Sequence, residues 1–323
     1  MPDPSNTGGT EESLTGVSST RSAAGDAPPS AADRIAGVLR SAQGQLTLRP
    51  GFRLAHVQEN AYLLVNGGRS YHVKWIPAGD KRGRNEVNVN QTVLRDSSAP
   101  APRLVFMTEA DGGLVAAWEK LDGSDLRTGN RQALPEAFRV LARFHIACRR
   151  DGPVHSNITN RDYAAIGEML RDELELHCSL LPDGQSVRQK CAPVLAALDT
   201  GFPTLVHGDF HPGNIIRNKS GIYFLDWAYA HKGVNLLDLD YVQSVSLETE
   251  GETLPWWTIG PAEAGPVLSA YFEACGLSHL DVTNVHRAVM LHAQLRSHTN
   301  ARRHGNEAGA AVALGNIRQL LRV

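Results

Sequence analysis

The stretch from Leu205 to Trp227, LVHGDFHPGNIIRNKSGIYFLDW, restricts the possible fold more than any other part of the chain. An apolar run ends at Leu205-Val206, and polar groups follow at once: His207, Asp209, His211 and Asn214. Pro212-Gly213 marks a loop among them. Ile215-Ile216 predicts a short strand, Asn218 to Gly221 a hairpin turn, and Ile222 to Leu225 the returning strand. Such a hairpin delivers Asp226 to the rim that already holds Asn214. Two carboxylates and one amide then share one rim.

A hard cation such as Mg²⁺ takes oxygen ligands, one or two of them carboxylates, with phosphate and water supplying the rest. Asp226 and the Asn214 amide oxygen fit that need. Asp209 is left over to orient a hydroxyl and accept its proton. In phosphoryl-transfer enzymes of the protein-kinase kind, a metal-binding Asn follows the base Asp by five residues, and a metal-binding Asp lies on the next hairpin. Asp209 and Asn214 have that spacing. A polar turn capped by Asp and Asn would account for any one of these residues. It does not account for the joint pattern.

HGDFHPGN followed by FLDW resembles the aminoglycoside phosphotransferase and choline kinase family. The resemblance implies an α+β, two-lobed, protein-kinase-like fold. Its N-lobe would be an antiparallel sheet with one helix, and its C-lobe mainly helical with a catalytic hairpin. It also implies transfer of the γ-phosphoryl group of ATP or GTP to a substrate hydroxyl. Asp209 would be the catalytic base, and Asn214 with Asp226 the Mg²⁺ ligands. The motif is specific to the family but does not name the acceptor.

The 323 residues are enough for two lobes with a sizeable core. Residues 1–30 are rich in Ser, Thr, Gly, Ala and Pro and nearly free of large apolar side chains, so a disordered tail is expected. Residues 31–121 then form the N-lobe and 122–323 the C-lobe. A net charge of −2 gives no electrostatic case for nucleic acid or an anionic membrane. No apolar run approaches a membrane span, and no basic-then-apolar leader opens the chain. Cys148, Cys178, Cys191 and Cys275 lack metal-site spacing, which suits buried thiols in a reducing cytoplasm. The oligomeric state, monomer or homodimer, stays open.

In the N-lobe, Ala61 to Val65 and Ser70 to Trp75 flank Asn66-Gly67-Gly68 as a hairpin. Alternation puts Val73 and Trp75 on one face and His72 with Lys74 on the other. In the family pattern this strand carries the lysine that holds the nucleotide phosphates. The next helix, expected from Arg84 to Leu94, offers Glu86 as its partner. The phosphate-covering turn, Val57 to Ala61, contains no glycine, and Asn60 is its candidate contact. Trp118 to Leu121 would be the hinge that reads the base, with Glu119 and Leu121 as its nucleotide contacts.

In the C-lobe, Leu134, Phe138, Leu141 and His145 recur at helical spacing over 131–150, which makes His145 a core histidine. Helices are also expected at 163–177, 187–198, 267–275, 282–295 and 310–321. Asp238 would brace the catalytic loop or cap a helix, and Asp240 would be exposed. His286, Arg287 and Arg296, with His292 and His298, form either a solvated helix face or a pocket wall for the acceptor. His211 and Trp256 are further acceptor candidates, although packing of the lobe is the stronger expectation for Trp256.

These readings converge on a small-molecule kinase acting on a hydroxyl of an antibiotic or of a sugar- or nucleoside-containing natural product. The alternatives are a metabolic kinase for choline, a sugar or an amino acid, and a nucleotide-binding regulator without turnover. The joint presence of Lys74, Asp209, Asn214 and Asp226 argues against the regulator.

Overall fold

The computed structural model describes residues 30–41, 49, 52–58, 60–95, 99–110, 112–127, 129–149, 168, 172, 175–181, 184–248 and 257–322. The expected tail, apart from Ser30, lies outside these residues, as do most of the 163–177 helix and Trp256.

The N-terminal region is a five-stranded antiparallel sheet built from β1 (Arg53–Gln58), β2 (Ala61–Asn66), β3 (Arg69–Pro77), β4 (Leu104–Ala110) and β5 (Gly113–Glu119). Its strand order is β1-β2-β3-β5-β4. Gly67 and Gly68 join β2 to β3 with φ of +59° and +82°. Positive φ at both central residues is what a two-residue hairpin turn with the twist of its strands demands.

Alternation along β3 sorts its side chains onto two faces. Tyr71, Val73 and Trp75 pack with Tyr62, Leu64 and Phe106 under α1 (Ala31–Ser41), whose Ile35 and Leu39 are buried. Ser30 opens α1 as a reciprocal cap: its hydroxyl accepts from the Asp33 N–H, and its own N–H donates to the Asp33 carboxylate. The sequence showed α1 only as a short apolar segment, so the helix covering this face is an addition to the expected single helix.

The other face of the sheet carries α2 (Lys81–Thr92) and a cluster of Ile76, Val87, Leu114, Ala116 and Trp118. This helix starts three residues before the expected Arg84. Lys81-Arg82-Gly83 has no apolar period to announce it, but the Asp80 carboxylate accepts from the N–H groups of Arg82 and Gly83 and fixes the start.

The C-terminal region is mainly helical: α3 (Leu134–Cys148), α4 (Gly184–Leu195), α5 (Pro261–Ala274), α6 (Val282–Arg303) and α7 (Glu307–Leu320). α3 packs on α5, and α6 on α7. The 187–198 helix ends early, since residues 196–200 tighten into a 3₁₀ turn. Against these helices sit short strands the sequence only partly announced. β7 (Pro203–Val206) pairs antiparallel with β10 (His231–Val234), while β6 (Ser124–Asp125), β8 (Ile215–Asn218) and β9 (Gly221–Phe224) form a second small sheet. An aromatic core of Phe138, Phe210, Phe224 and Trp227 holds the β8–β9 hairpin on α3, with edge-to-face rings at 5.1 Å for Phe138–Phe210 and 4.7 Å for Phe210–Phe224.

The late histidines require a correction. His286, His292 and His298 are 0%, 1% and 3% exposed, so they are neither a solvated face nor a pocket wall. α6 buries residues around most of its circumference, and helical spacing alone does not say which face is outside. Asp240, expected to be exposed, has a side chain only 5% exposed and pairs with Arg296 at 2.6 Å. Among the described residues no helix is long and apolar enough to cross a membrane. The four cysteines are buried and form no disulfide among the described residues.

Candidate active site

The loop after β7 is built around one buried carboxylate. Asp238 accepts hydrogen bonds from the His207 N–H (2.7 Å), the Gly208 N–H (2.8 Å) and His145 Nε2 (3.0 Å). Burial works against its charge, but His145 and His207 outweigh burial and hold its pKa below the usual carboxylate range. His145 is fully buried, and its other ring nitrogen meets the Tyr271 hydroxyl at 2.8 Å. Of the two roles open to Asp238, bracing the loop is the one the geometry shows.

His207 extends the brace. Its Nε2–H donates to the Leu225 carbonyl (2.8 Å), and its Nδ1 accepts from the Asp209 N–H (3.3 Å), which fixes the tautomer. Burial lowers its pKa, although Asp238 works in the opposite sense. The neutral ring thus ties the loop to the residue before Asp226. Gly208 between them has φ of +77°, and a Cβ there would lie 2.4 Å from the Tyr229 carbonyl oxygen. Glycine is therefore required at this step of the HGD motif.

Asp209 is held from three sides. Its Oδ1 accepts from the Tyr241 hydroxyl at 2.6 Å. Its backbone oxygen and Oδ2 accept from Asn214 Nδ2 at 2.9 and 3.2 Å. His211 Nε2 lies 3.6 Å from Oδ2, while His211 Nδ1 accepts from the Gly213 N–H. Burial opposes ionisation of Asp209, but His211 and Tyr241 prevail and keep its pKa below the ordinary value. The carboxylate is charged at neutral pH and ready to accept a hydroxyl proton.

The Leu225 N–H donates to the Asn214 carbonyl at 2.8 Å, which pins the return strand to the loop and leaves Asp226 beside Asn214 in the chain path. Asp226 itself is left-handed, with φ of +58°. Short polar residues tolerate this region best. Since Asn214 spends its amide N–H groups on Asp209, its amide oxygen is left to face elsewhere. The two side chains offer hard oxygen donors of the kind a Mg²⁺ ion takes.

Asp226 also lines a cavity of about 360 Å³ with Lys74, Glu86, Asn60, Asp80 and Tyr229. Lys74 Nζ is 2.7 Å from Glu86 Oε2, with side chains 25% and 7% exposed. Burial works against the Lys74 ammonium, but Glu86 and Asp226 outweigh it and raise its pKa. Burial pushes the Glu86 carboxyl up, with Lys74 opposing. Beside the lysine, His72 is pushed down, by burial and then by Lys74. Asn60 stands on the β1–β2 turn, where its carbonyl accepts from the Trp75 N–H at 2.9 Å.

One bridge between the two regions has no local signature in the sequence. Asn85 Nδ2, next to Glu86 on α2, donates to the carbonyls of Ala228 (3.1 Å) and Ala230 (2.8 Å), just past Asp226. The Arg82 guanidinium lies 4.5 Å over the Tyr229 ring. The helix that carries Glu86 and the segment that carries Asp226 are therefore fastened together. Sequence separation of 143 and 145 residues hides such a contact from any local pattern.

The remaining candidates fall elsewhere. Glu119 and Leu121 stand at and just beyond the end of β5 and do not line the cavity. The Glu119 N–H donates to the Arg103 carbonyl, and its side chain pairs with Arg103 at 2.6 Å. His286 is core: its Nδ1 meets Ser244 Oγ at 2.9 Å and its Nε2 meets the Val242 carbonyl at 3.0 Å. Burial lowers its pKa to about 4. Arg287 clamps the end of α7 by donating to the Leu320 carbonyl at 2.6 Å. His286 is closed off from the surface, and the Arg287 guanidinium is engaged at that helix end. Arg296, by contrast, carries its Asp240 pair next to Tyr241 and so stands behind Asp209.

A sheet region fastened to a helical region, with a lysine–glutamate pair and Asp226 lining one cavity and an HGD loop tied to the residue before Asp226, defines a kinase-like small-molecule phosphotransferase. The chain belongs to the phosphotransferase enzyme family, whose sequence model matches residues 53–274. Comparison with curated protein sequences returns no match. Solved structures share the fold. A thermostable mutant of aminoglycoside phosphotransferase APH(4)-Ia, in ternary complex with AMP-PNP and hygromycin B, is 17% identical. It covers 84% of this chain and 94% of its own, with a TM-score of 0.52. Macrolide 2'-phosphotransferase MphH of Brachybacterium faecium is 18% identical, with coverage of 84% and 93% and a TM-score of 0.53. An ethanolamine kinase of Plasmodium vivax is 12% identical, with coverage of 83% and 81% and a TM-score of 0.55.

Proposed function

We propose that the chain transfers the γ-phosphoryl group of ATP or GTP to a hydroxyl of a small natural product. The observation that carries this reading is the convergence of the Lys74–Glu86 pair and Asp226 on one cavity, fastened to the loop that presents Asp209 and Asn214. Residues 31–121 serve as the nucleotide lobe, and 122–323 as the lobe for chemistry and the acceptor. The buried thiols and the nucleotide donor suit the cytoplasm.

In this reading Asp209 orients the acceptor hydroxyl and takes its proton through Oδ2. Lys74, fixed by Glu86, holds donor phosphate. Asn214 and Asp226 would hold Mg²⁺, which when bound offsets charge on the phosphates. The fixed donors and charges need little reorganisation as the phosphoryl group moves, which is where most of the rate gain in such sites arises.

The metal role has a direct test. Asp226→Asn removes the charge while tolerating the left-handed backbone. Calorimetry should show affinity for Mg-nucleotide weakened at least about tenfold, or about 1.4 kcal/mol, with metal-free nucleotide binding unchanged. Equal affinity for the Mg-nucleotide in variant and wild type would remove Asp226 from the metal site.

For the acceptor, structures of this fold include a complex with hygromycin B, a macrolide 2'-phosphotransferase and an ethanolamine kinase, so the fold leaves the choice wide. Along α5 to α7 the acids Glu273, Asp281 and Glu307 are isolated, and Glu263 is spent on Arg131 at 2.6 Å. A polycation gains affinity from clustered carboxylates, and that gain weakens as salt rises. A neutral or weakly charged acceptor, sugar- or nucleoside-like, fits this surface better. Coupled ADP-release assays over nucleosides, sugars, macrolides, amino alcohols and aminoglycosides should find a preferred acceptor whose KM changes little between low and moderate salt. Preference for a multiply charged aminoglycoside, with KM climbing steeply with salt, would overturn the acceptor reading. An absence of turnover with every acceptor, despite nucleotide binding, would favour the non-catalytic regulator.

A further inference from the structure

We propose that Tyr241 is a positioning residue for Asp209, reserving one carboxylate oxygen for itself and leaving the other to the acceptor hydroxyl. This rests on the reading of Asp209 as the base. The Tyr241 hydroxyl donates to Asp209 Oδ1 at 2.6 Å, the short distance of a hydrogen bond to an ionised acceptor. Burial first, and the Asp209 hydrogen bond next, raise the phenol pKa, so the hydroxyl remains a donor throughout the working range of pH.

The other oxygen is differently placed. Oδ2 accepts from Asn214 Nδ2 at 3.2 Å and has His211 Nε2 at 3.6 Å, both longer contacts than the one on Oδ1. Oδ2 is therefore the more loosely held oxygen and the one an incoming hydroxyl would engage. Without the phenol, the carboxylate could turn about its own axis and present either oxygen. A base that rotates spends part of its time out of line with the reacting hydroxyl, and misplacement of this order is expensive in rate.

Tyr241 is itself well anchored. Its ring meets His211 edge to face, with centroids 5.4 Å apart. Behind it lies the Arg296–Asp240 pair, with Asp240 buried. Tyr241 stands 32 residues from Asp209 and three past Asp238, the buried carboxylate that braces the loop.

The test is steady-state hydrolysis of Mg-ATP with water as acceptor, in wild type, Tyr241→Phe, Tyr241→Ala, Asp209→Asn and the Asp209→Asn/Tyr241→Phe double variant. Tyr241→Phe should lower kcat about tenfold, within the range a positioned base supplies, with KM for nucleotide within about twofold of wild type. The double variant should be no slower than Asp209→Asn alone, because the hydroxyl acts only through the carboxylate. Tyr241→Phe should keep the melting temperature that Tyr241→Ala loses, yet share its kcat. A wild-type kcat in Tyr241→Phe, or losses that multiply in the double variant, would overturn the proposal. Full turnover by Asp209→Asn would instead strike the reading of Asp209 as base, and the proposal with it.

Discussion

Asp209→Asn is expected to lower kcat by about 10²–10⁴-fold, the contribution typical of a positioned general base. Asn keeps the size of the side chain and can still accept from Tyr241, so the loop has no reason to move. It loses the charge that accepts the acceptor proton. Asp209 touches Asn214, Tyr241 and the His207 ring, none of which lines the cavity that holds Lys74. Nucleotide affinity measured by calorimetry should therefore stay within a few-fold of wild type. A variant that keeps more than about a tenth of wild-type kcat would disprove the base role, since even the low end of the expected loss is a hundredfold.

Asp238→Ala is expected to cost on the order of 3–5 kcal/mol of stability, the scale of a buried charge network broken at one partner. It leaves the N–H groups of His207 and Gly208 and the His145 ring nitrogen facing an empty acceptor position, each a desolvated donor. Equilibrium urea unfolding measures the loss. The pH dependence has a definite sign. The folded pKa of Asp238 lies below its unfolded value, so its contribution is full above about pH 4, the ordinary Asp value, and declines as pH falls toward the folded value. The gap between variant and wild type should narrow on that acid side. A loss of less than about 1 kcal/mol at neutral pH, the net worth of one ordinary hydrogen bond, would mean that water replaces the carboxylate and that the loop does not depend on it.

Much of the site was legible because its logic is local. Asp209 and Asn214 are five residues apart in one loop, and Asp226 follows on the hairpin that loop begins. Short-range spacing of this kind is fixed by turn geometry and survives without knowledge of the rest of the fold. Alternation placed Lys74 on the face away from Val73 and Trp75, the resemblance to the family singled it out, and Glu86 followed as an acid near the start of the next helix. The errors came where only burial decides. Three histidines at six-residue steps look polar on paper, yet α6 lies between other elements and buries them. Asp240 likewise needed Arg296, which reaches it from another helix.

The sequence by itself determined the family of this protein and the local groups that the proposed chemistry would use: the loop, its carboxylates and amide, and the strand lysine. The tertiary structure alone decided how those groups are held. Tyr241 reaches Asp209 from beyond the hairpin, Asn85 fastens α2 to the segment after Asp226, and Asp238 gathers two backbone donors and a helix histidine. Each of these contacts joins residues 30 to 145 positions apart. The physical reason is that a turn is specified by the few residues in it, whereas a long-range hydrogen bond exists only after packing has removed water from both partners.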